Sequence, residues 1–152
     1  MDVLTPAQRQ LNMSRIRGRN TKPELLVRSA LHAMGFRFRI HVRTLPGSPD
    51  LVLRKYNVAI FVNGCFWHGH GCHLSKLPAT RTEFWRTKIS DTCVRDSRAI
   101  QQLHLQGWRV IVLWECSIRA VTPEGLIRTW ARLRTAICAS KSRLVQIPML
   151  KR

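Results

Sequence analysis

The stretch Asn63-Gly64-Cys65-Phe66-Trp67-His68-Gly69-His70-Gly71-Cys72-His73 limits the fold more than any other part of the chain. Its eleven residues hold two cysteines, three histidines, two adjacent large aromatics and three glycines. The glycines raise the entropic cost of a helix or strand, and thiols and imidazoles are too polar for ordinary core filling. Such a segment is expected to be a loop whose shape is set by something bound to it, most simply a metal ion. The remaining sequence must then fold so that this loop, its aromatics and any further ligand come together.

A chain of 152 residues with 45% hydrophobic content is long enough for one domain with a real core. Its charge is lopsided, with 26 Lys plus Arg against 8 Asp plus Glu, a formal +18. An excess of this size disfavours a compact fold by self-repulsion and normally answers a polyanion, nucleic acid before an anionic membrane. Residues 1–20 are polar and basic without a signal-like apolar run, and the runs Val58–Val62 and Val110–Trp114 are too short to span a bilayer. An odd set of five cysteines, at 65, 72, 93, 116 and 138, suits a reducing compartment and metal ligation rather than a disulfide framework. A soluble cytoplasmic protein is the expectation.

Residues 1–20, with Thr5-Pro6 and then Arg9, Arg15, Arg17 and Arg19, read either as a short basic helix ordered on a partner or as a solvated arm. Thr21-Lys22-Pro23-Glu24 opens a helix with a capping-box pattern, which gives Glu24 a role as a cap beside any catalytic one. Phe36–His41 alternates like a half-buried strand, Asp50–Leu53 and Val58–Val62 form a pair of adjacent strands, and Thr82–Gln106 reads as a basic helix. Trp108–Trp114 is a further strand, and Thr122-Pro123-Glu124 starts a last helix. The tail from 141 to 152 is basic and poorly patterned. Strands flanked by helices predict an α/β layered domain with a mixed sheet over 21–140, between a basic arm at 1–20 and the tail.

Cys65, His70 and Cys72 supply two thiols and an imidazole, and Cys116, just past a buried strand, is the best fourth ligand. Three thiolates and an imidazole closed into a tetrahedron describe a structural zinc site, with His68 and His73 as rival ligands. Apparent binding energies for such sites, roughly 10–16 kcal/mol, are enough to hold a glycine-rich loop in one shape. Among the eight acids, Asp50 follows Pro49 at the start of a strand. Many metal-dependent nucleases place a metal-bridging carboxylate this way, although a turn-capping aspartate is the commoner outcome. The acid-x-Lys usual on the next strand is missing, so a nuclease here needs another proton-transfer group, and His68 is the obvious one. Asp96 either orients that imidazole or forms a helix-surface ion pair with Arg95 or Arg98.

Several motifs together, Gly64-Cys65-Phe66-Trp67-His68 with His70, Pro78–Trp85, Arg95-Asp96, Gly107–Val110 and Trp114-Glu115-Cys116, resemble the very short patch repair (Vsr) DNA mismatch endonucleases. The resemblance runs in order from about Asn12-Met13 to the last helix. It implies a restriction-endonuclease-like fold and a Mg²⁺-dependent enzyme, with about two ions, that nicks double-stranded DNA. The nick would fall 5′ to the thymine of a T:G mismatch left by deamination of 5-methylcytosine. By the same resemblance Asp50 is the Mg²⁺ carboxylate, with the Val62 carbonyl as a further ligand, and His68 is the general acid/base. Glu24 and Asp96 are its acidic supports, and Cys65, His70, Cys72 and Cys116 hold one structural Zn²⁺. Met13, Phe66 and Trp67 form an apolar wedge beside the mismatch, and Lys88 contacts DNA.

The chain departs from the family pattern at two positions. Asn63 stands where some members have a histidine, and Thr92 replaces an asparagine thought to read the mispair. A monomer is expected, with mismatch-repair proteins as further partners. Two alternatives stay open: a nuclease of this fold with a broader mismatch or restriction-type target, and a non-catalytic zinc-stabilised DNA-binding module. For Phe66 and Trp67 the plain alternative to a wedge is core packing.

Overall fold

The apolar runs become the central strands of a mixed sheet in a computed structural model that describes residues 4–14, 20–119 and 121–148. In chain order the elements are α1 (Pro6–Ser14), α2 (Lys22–Ala33), β1 (Arg39–Ile40), β2 (Leu51–Leu53), β3 (Val58–Asn63), α3 (Thr82–Leu105), β4 (Arg109–Trp114), α4 (Pro123–Cys138) and β5 (Leu144–Ile147). The strands lie in the order β1-β2-β3-β4-β5. β1 and β2 are antiparallel, as are β2 and β3, whereas β3/β4 and β4/β5 are parallel. Each parallel pair is joined through a helix, α3 or α4, as parallel neighbours require.

Period-two alternation divides the sheet into two apolar faces. Val58, Ile60, Ile111 and Leu113 pack with Val27 and Leu31 of α2 and Leu133, Ala136 and Ile137 of α4. Ala59, Val110, Val112 and Trp114 face the other way, against Leu103 and Ile100 of α3 and beside Cys65 and Cys116. This is a three-layer α/β domain of the restriction-endonuclease-like kind, and the Cys/His cluster grows directly from one of its two cores.

The helix starts follow the sequence. The Gln8 N–H donates to Thr5 Oγ1 at 3.2 Å while the Thr5 N–H donates to Gln8 Oε1 at 2.9 Å. At α4, Thr122 Oγ1 caps the Gly125 N–H at 3.0 Å. The far end of α4 is closed by Arg109, whose guanidinium donates to the carbonyls of Ala136, Ile137 and Ser140 and also to that of Tyr56 before β3. One side chain thus satisfies carbonyls that a helix C-terminus leaves open and ties α4 to the sheet.

Two expectations about elements need correction. The alternating segment Phe36–His41 yields only a two-residue edge strand whose residues are exposed, with Ile40 45% accessible. Phe36 is buried and Phe38 packs on the core, but an edge strand has no second neighbour to cover Ile40. The domain also does not stop at 140, because Leu144–Ile147 pairs in parallel with Val110–Leu113. Four residues carrying a single buried isoleucine, set among basic ones, are too short for periodicity to reveal. Residues 15–19 of the basic arm and 149–152 of the tail lie outside the described residues, as does the side chain of Met13 on α1.

Candidate active site

The loop after β3 is folded around its own cysteines. The Sγ atoms of Cys65, Cys72 and Cys116 and a ring nitrogen of His70 lie within 4.8 Å of one another, a set that could hold a metal ion. Cys65 and Cys116 are fully buried. The Cys116 N–H donates to Cys65 Sγ at 3.3 Å, and His70 Nδ1 lies 3.6 Å from Cys116 Sγ. Burial pushes the Cys65 thiol well up and holds the His70 imidazolium down, favouring its neutral, ligating form. Cys72 goes the other way: despite its burial, hydrogen bonds led by the Leu74 N–H lower its pKa. The His70 ring stacks on Trp114 at 4.2 Å and 11°, and Trp114 Nε1–H donates to Gln146 Oε1 of β5 at 3.0 Å. The rival ligands His68 and His73 are not members of this group.

A left-handed glycine seats the loop on α3. Gly69 has φ 63°, and a Cβ there would lie 2.8 Å from Ile89 Cγ2 and 3.1 Å from Cys93 Sγ. Only glycine allows that backbone to approach. The thiol of Cys93 donates to the His68 carbonyl at 3.3 Å. His68 is thereby held against α3, where its Nδ1 lies 2.5 Å from Asp96 Oδ2. A carboxylate only accepts, so Nδ1 carries the proton and Nε2 is left as the basic nitrogen.

His68 and Asp96 form one wall of a cleft of about 960 Å³ whose other lining residues include Asp50, Glu24, Val62, Trp67 and Lys88. Asp50 Oδ2 accepts the Val62 N–H at 2.7 Å. Burial, with the nearby Glu24 charge adding to it, pushes the Asp50 carboxyl up to about 6 despite that N–H. Glu24 is 3% exposed. It does not close the capping box on Thr21; instead its Oε2 accepts the Asn20 N–H at 3.0 Å, while Thr21 Oγ1 caps the Glu24 N–H. Arg28 lies 3.3 Å and His41 Nε2 3.2 Å from the same Oε2. Glu24, His41 and Asp50 offer ligand atoms within 4.8 Å of one another, a second group that could hold a metal. Two hard carboxylates, Glu24 buried and Asp50 partly so, with ionisation of Asp50 opposed by burial and by the charge of Glu24, are the donors a hard divalent cation would relieve.

At the mouth of the cleft Phe66 and Trp67 are half-buried and belong to neither core. They pack edge-to-face on each other and on Trp85 of α3, at 5.0 to 5.8 Å between ring centroids. Lys88 Nζ lies 5.5 to 5.8 Å from the rings of Trp67, Phe84 and Trp85. The Thr92 hydroxyl donates to its own helix at the Lys88 carbonyl and accepts from Arg95. The fold therefore gathers Asp50, Val62, His68, Glu24, Asp96, Trp67 and Lys88 into one cleft, with Phe66 at its edge and the four thiol and imidazole ligands behind it. His41 and the ring cluster around Trp85 were not singled out as site residues from sequence. Pairing across the β1–β2 hairpin, Arg39 with Val52 and Ile40 with Leu51, would have placed His41 opposite Asp50.

A family model described as "DNA mismatch endonuclease Vsr" matches residues 1–74. The "DNA mismatch endonuclease Vsr" of Escherichia coli is 45% identical over 140 residues, 90% of this chain and 88% of the relative. The "Type II nicking enzyme V.XorIIP" of Xanthomonas oryzae pv. oryzae is 46% identical over 117 residues, 77% of this chain and 86% of the relative. A Neisseria meningitidis relative, "Type II nicking enzyme V.NmeAIP", is 39% identical over 138 residues, 90% of this chain and 99% of the relative. With the motifs of this cleft in place and relatives of this identity spanning most of both chains, the protein belongs to the Vsr family of DNA mismatch endonucleases.

Proposed function

We propose that this endonuclease nicks double-stranded DNA on the 5′ side of the thymine in a T:G mismatch produced by 5-methylcytosine deamination, starting very short patch repair in the bacterial cytoplasm. The observation that carries the reading is the His68–Asp96 pair in the same cleft as the partly buried Asp50 carboxyl, next to an aromatic cluster. Asp50 and the Val62 carbonyl would hold the Mg²⁺, with Glu24 beside them. Bound there, Mg²⁺ neutralises charge on the scissile phosphate and its attacking and leaving oxygens.

His68 Nε2 takes the proton from the attacking water while Asp96 holds Nδ1 and stabilises the imidazolium that forms. Cys65, His70, Cys72 and Cys116 hold Zn²⁺, which shapes the loop and takes no part in hydrolysis. Phe66 and Trp67, with Met13, enter the base step, where unstacking costs a few kcal/mol and least at a mispair. Lys88 and the arginines of arm and tail grip the duplex backbone.

End-labelled duplexes carrying T:G, the matched pair or each other mispair, incubated with the zinc-loaded protein and Mg²⁺, test this reading. The expected product is a single nick 5′ to the mispaired thymine, lost in Asp50→Ala and His68→Ala with DNA binding retained. Cleavage of all mispairs alike would point to a broader nuclease, and binding without any nick to a DNA-binding module.

A further inference from the structure

Glu24 Oε2 is gripped from three sides: by the Asn20 N–H at 3.0 Å, by Arg28 at 3.3 Å and by His41 at 3.2 Å. Arg28 has one terminal nitrogen engaged in this knot, and it donates to both Asn20 Oδ1, at 2.8 Å, and Glu24 Oε2. Both hydrogens on that nitrogen are thus used, and the 3.3 Å approach of Arg28 to His41 Nε2 is a contact between two donors. His41 Nε2 therefore carries the proton and donates it to Glu24. All hydrogen bonds to the Glu24 carboxylate among the described residues fall on Oε2, and Glu24 and Asp50 offer ligand atoms within 4.8 Å of one another.

The backbone is committed to this arrangement. His41 sits at φ 47° and Asn20 at φ 56°, a region that residues with a side chain visit seldom. The His41 N–H donates to the Asp50 carbonyl at 3.2 Å, continuing the β1–β2 register by one step, so the imidazole is tied to the same strand end as the Asp50 carboxyl. Arg28 holds its place with Nε buried and without a hydrogen-bond partner.

We infer that His41 is a positioning residue: its Nε2–H fixes the rotamer of Glu24 so that one carboxylate oxygen faces Asp50 and the divalent cation held there. The inference rests on the reading of Asp50 and Glu24 as the carboxylates of that cation site. His41 is not itself a ligand through Nε2, because a cation on that atom would sit against the guanidinium of Arg28.

The test is Mn²⁺ binding to the zinc-loaded protein without DNA, followed by EPR and calorimetry, together with kcat and KM for nicking. Partners that orient metal-binding groups typically change affinity 10- to 100-fold, so His41→Leu is expected to weaken Mn²⁺ binding about tenfold and to lower kcat with KM for DNA unchanged. His41→Gln, whose amide can donate to Glu24, is expected to recover both to within about threefold of the natural chain, since the conserved donor is what matters. Zinc content and near-ultraviolet circular dichroism establish that each variant is folded; should the leucine variant not fold, His41→Ala carries the same expectation. Unchanged Mn²⁺ affinity in a folded His41→Leu or His41→Ala overturns the proposal. A directly bound imidazole nitrogen in pulsed EPR, absent from both His41→Leu and His41→Gln, overturns it in favour of ligation by His41. Mn²⁺ affinity untouched by Asp50→Ala overturns the carboxylate reading itself, and the role of His41 with it.

Discussion

At Asp50, burial and the Glu24 charge oppose ionisation while the Val62 N–H favours it, and burial prevails. The folded carboxyl keeps its proton up to about pH 6, whereas an unfolded aspartate loses it near 3.8. Below the unfolded value both states are protonated and the fold loses nothing. Between 3.8 and about 6 the unfolded chain sheds the proton first and stability falls, and above that the cost is complete, at most about 3 kcal/mol. Asp50→Asn removes that cost and keeps an oxygen for the Val62 N–H. Zinc-loaded, Mg²⁺-free Asp50→Asn is therefore expected to melt above the natural chain at pH 7.5, by less at pH 5, and to have no nicking activity. Mg²⁺ should raise the melting temperature of the natural chain only. Equal melting of the two zinc-loaded, Mg²⁺-free proteins at pH 7.5 would show that the site is not strained. Asp50 and His68 were legible because their chemistry sits beside a linear signal, Pro49 before a strand and a ligand-dense loop. His41 was not, because its partners are set by hairpin register and by a glutamate on a distant helix.

At the scale of elements, the loop from Asn63 to Ser75 contains no helix beyond one short turn at His73–Ser75, so its shape rests on the Cys/His cluster, on local hydrogen bonds such as Ser75 Oγ to the Cys65 carbonyl, and on its seat against α3. The sequence disclosed the four residues of this cluster, since thiols and imidazoles at that density have few uses besides ligation, but not what stands behind them. Trp114, stacked on His70, is pinned by Gln146 from β5, a strand of four residues too short to announce itself. The His68 face of the loop is equally dependent, because His68 meets Asp96 where Gly69 lies against α3. One zinc per chain is expected by elemental analysis. Stripping it with a chelator should abolish nicking and the near-ultraviolet tryptophan signal together, with recovery on Zn²⁺ but not on Mg²⁺, because zinc sites of this kind contribute roughly 10–16 kcal/mol of apparent binding energy. Acid should release the metal too, as protons return to the thiolates. A stripped protein that keeps its tryptophan signal, or a Cys65→Ala, Cys72→Ala double variant that keeps its fold, would deny the ion a structural role.

Across the whole molecule two kinds of DNA affinity are built from different residues and should separate in experiment. The formal charge of +18 acts on any duplex through phosphate contacts and the release of counterions. A protein making about 6–10 such contacts loses about 10³–10⁵ in affinity between 50 and 200 mM salt, whatever the sequence. The aromatic edge of Phe66 and Trp67 carries no charge, and under the proposed wedge role it would act where the duplex opens easily, so its contribution would belong to the mismatch and not to the salt. Binding of matched and T:G duplexes should therefore fall with parallel slopes as salt rises, offset by a constant preference for T:G. Phe66→Ala should shrink the offset about 5- to 150-fold, as loss of one base–aromatic contact worth about 1–3 kcal/mol implies, and leave the slope alone. Lys88→Ala should do the reverse in part, reducing the slope by about one phosphate contact, and it should also loosen the rings it covers. Titrations of both duplexes by fluorescence anisotropy at several salt concentrations give slope and offset together. If Phe66→Ala changed the slope and kept the offset, the aromatics would be core packing rather than a wedge, and the mismatch preference would have to come from polar groups around Thr92 and Arg95.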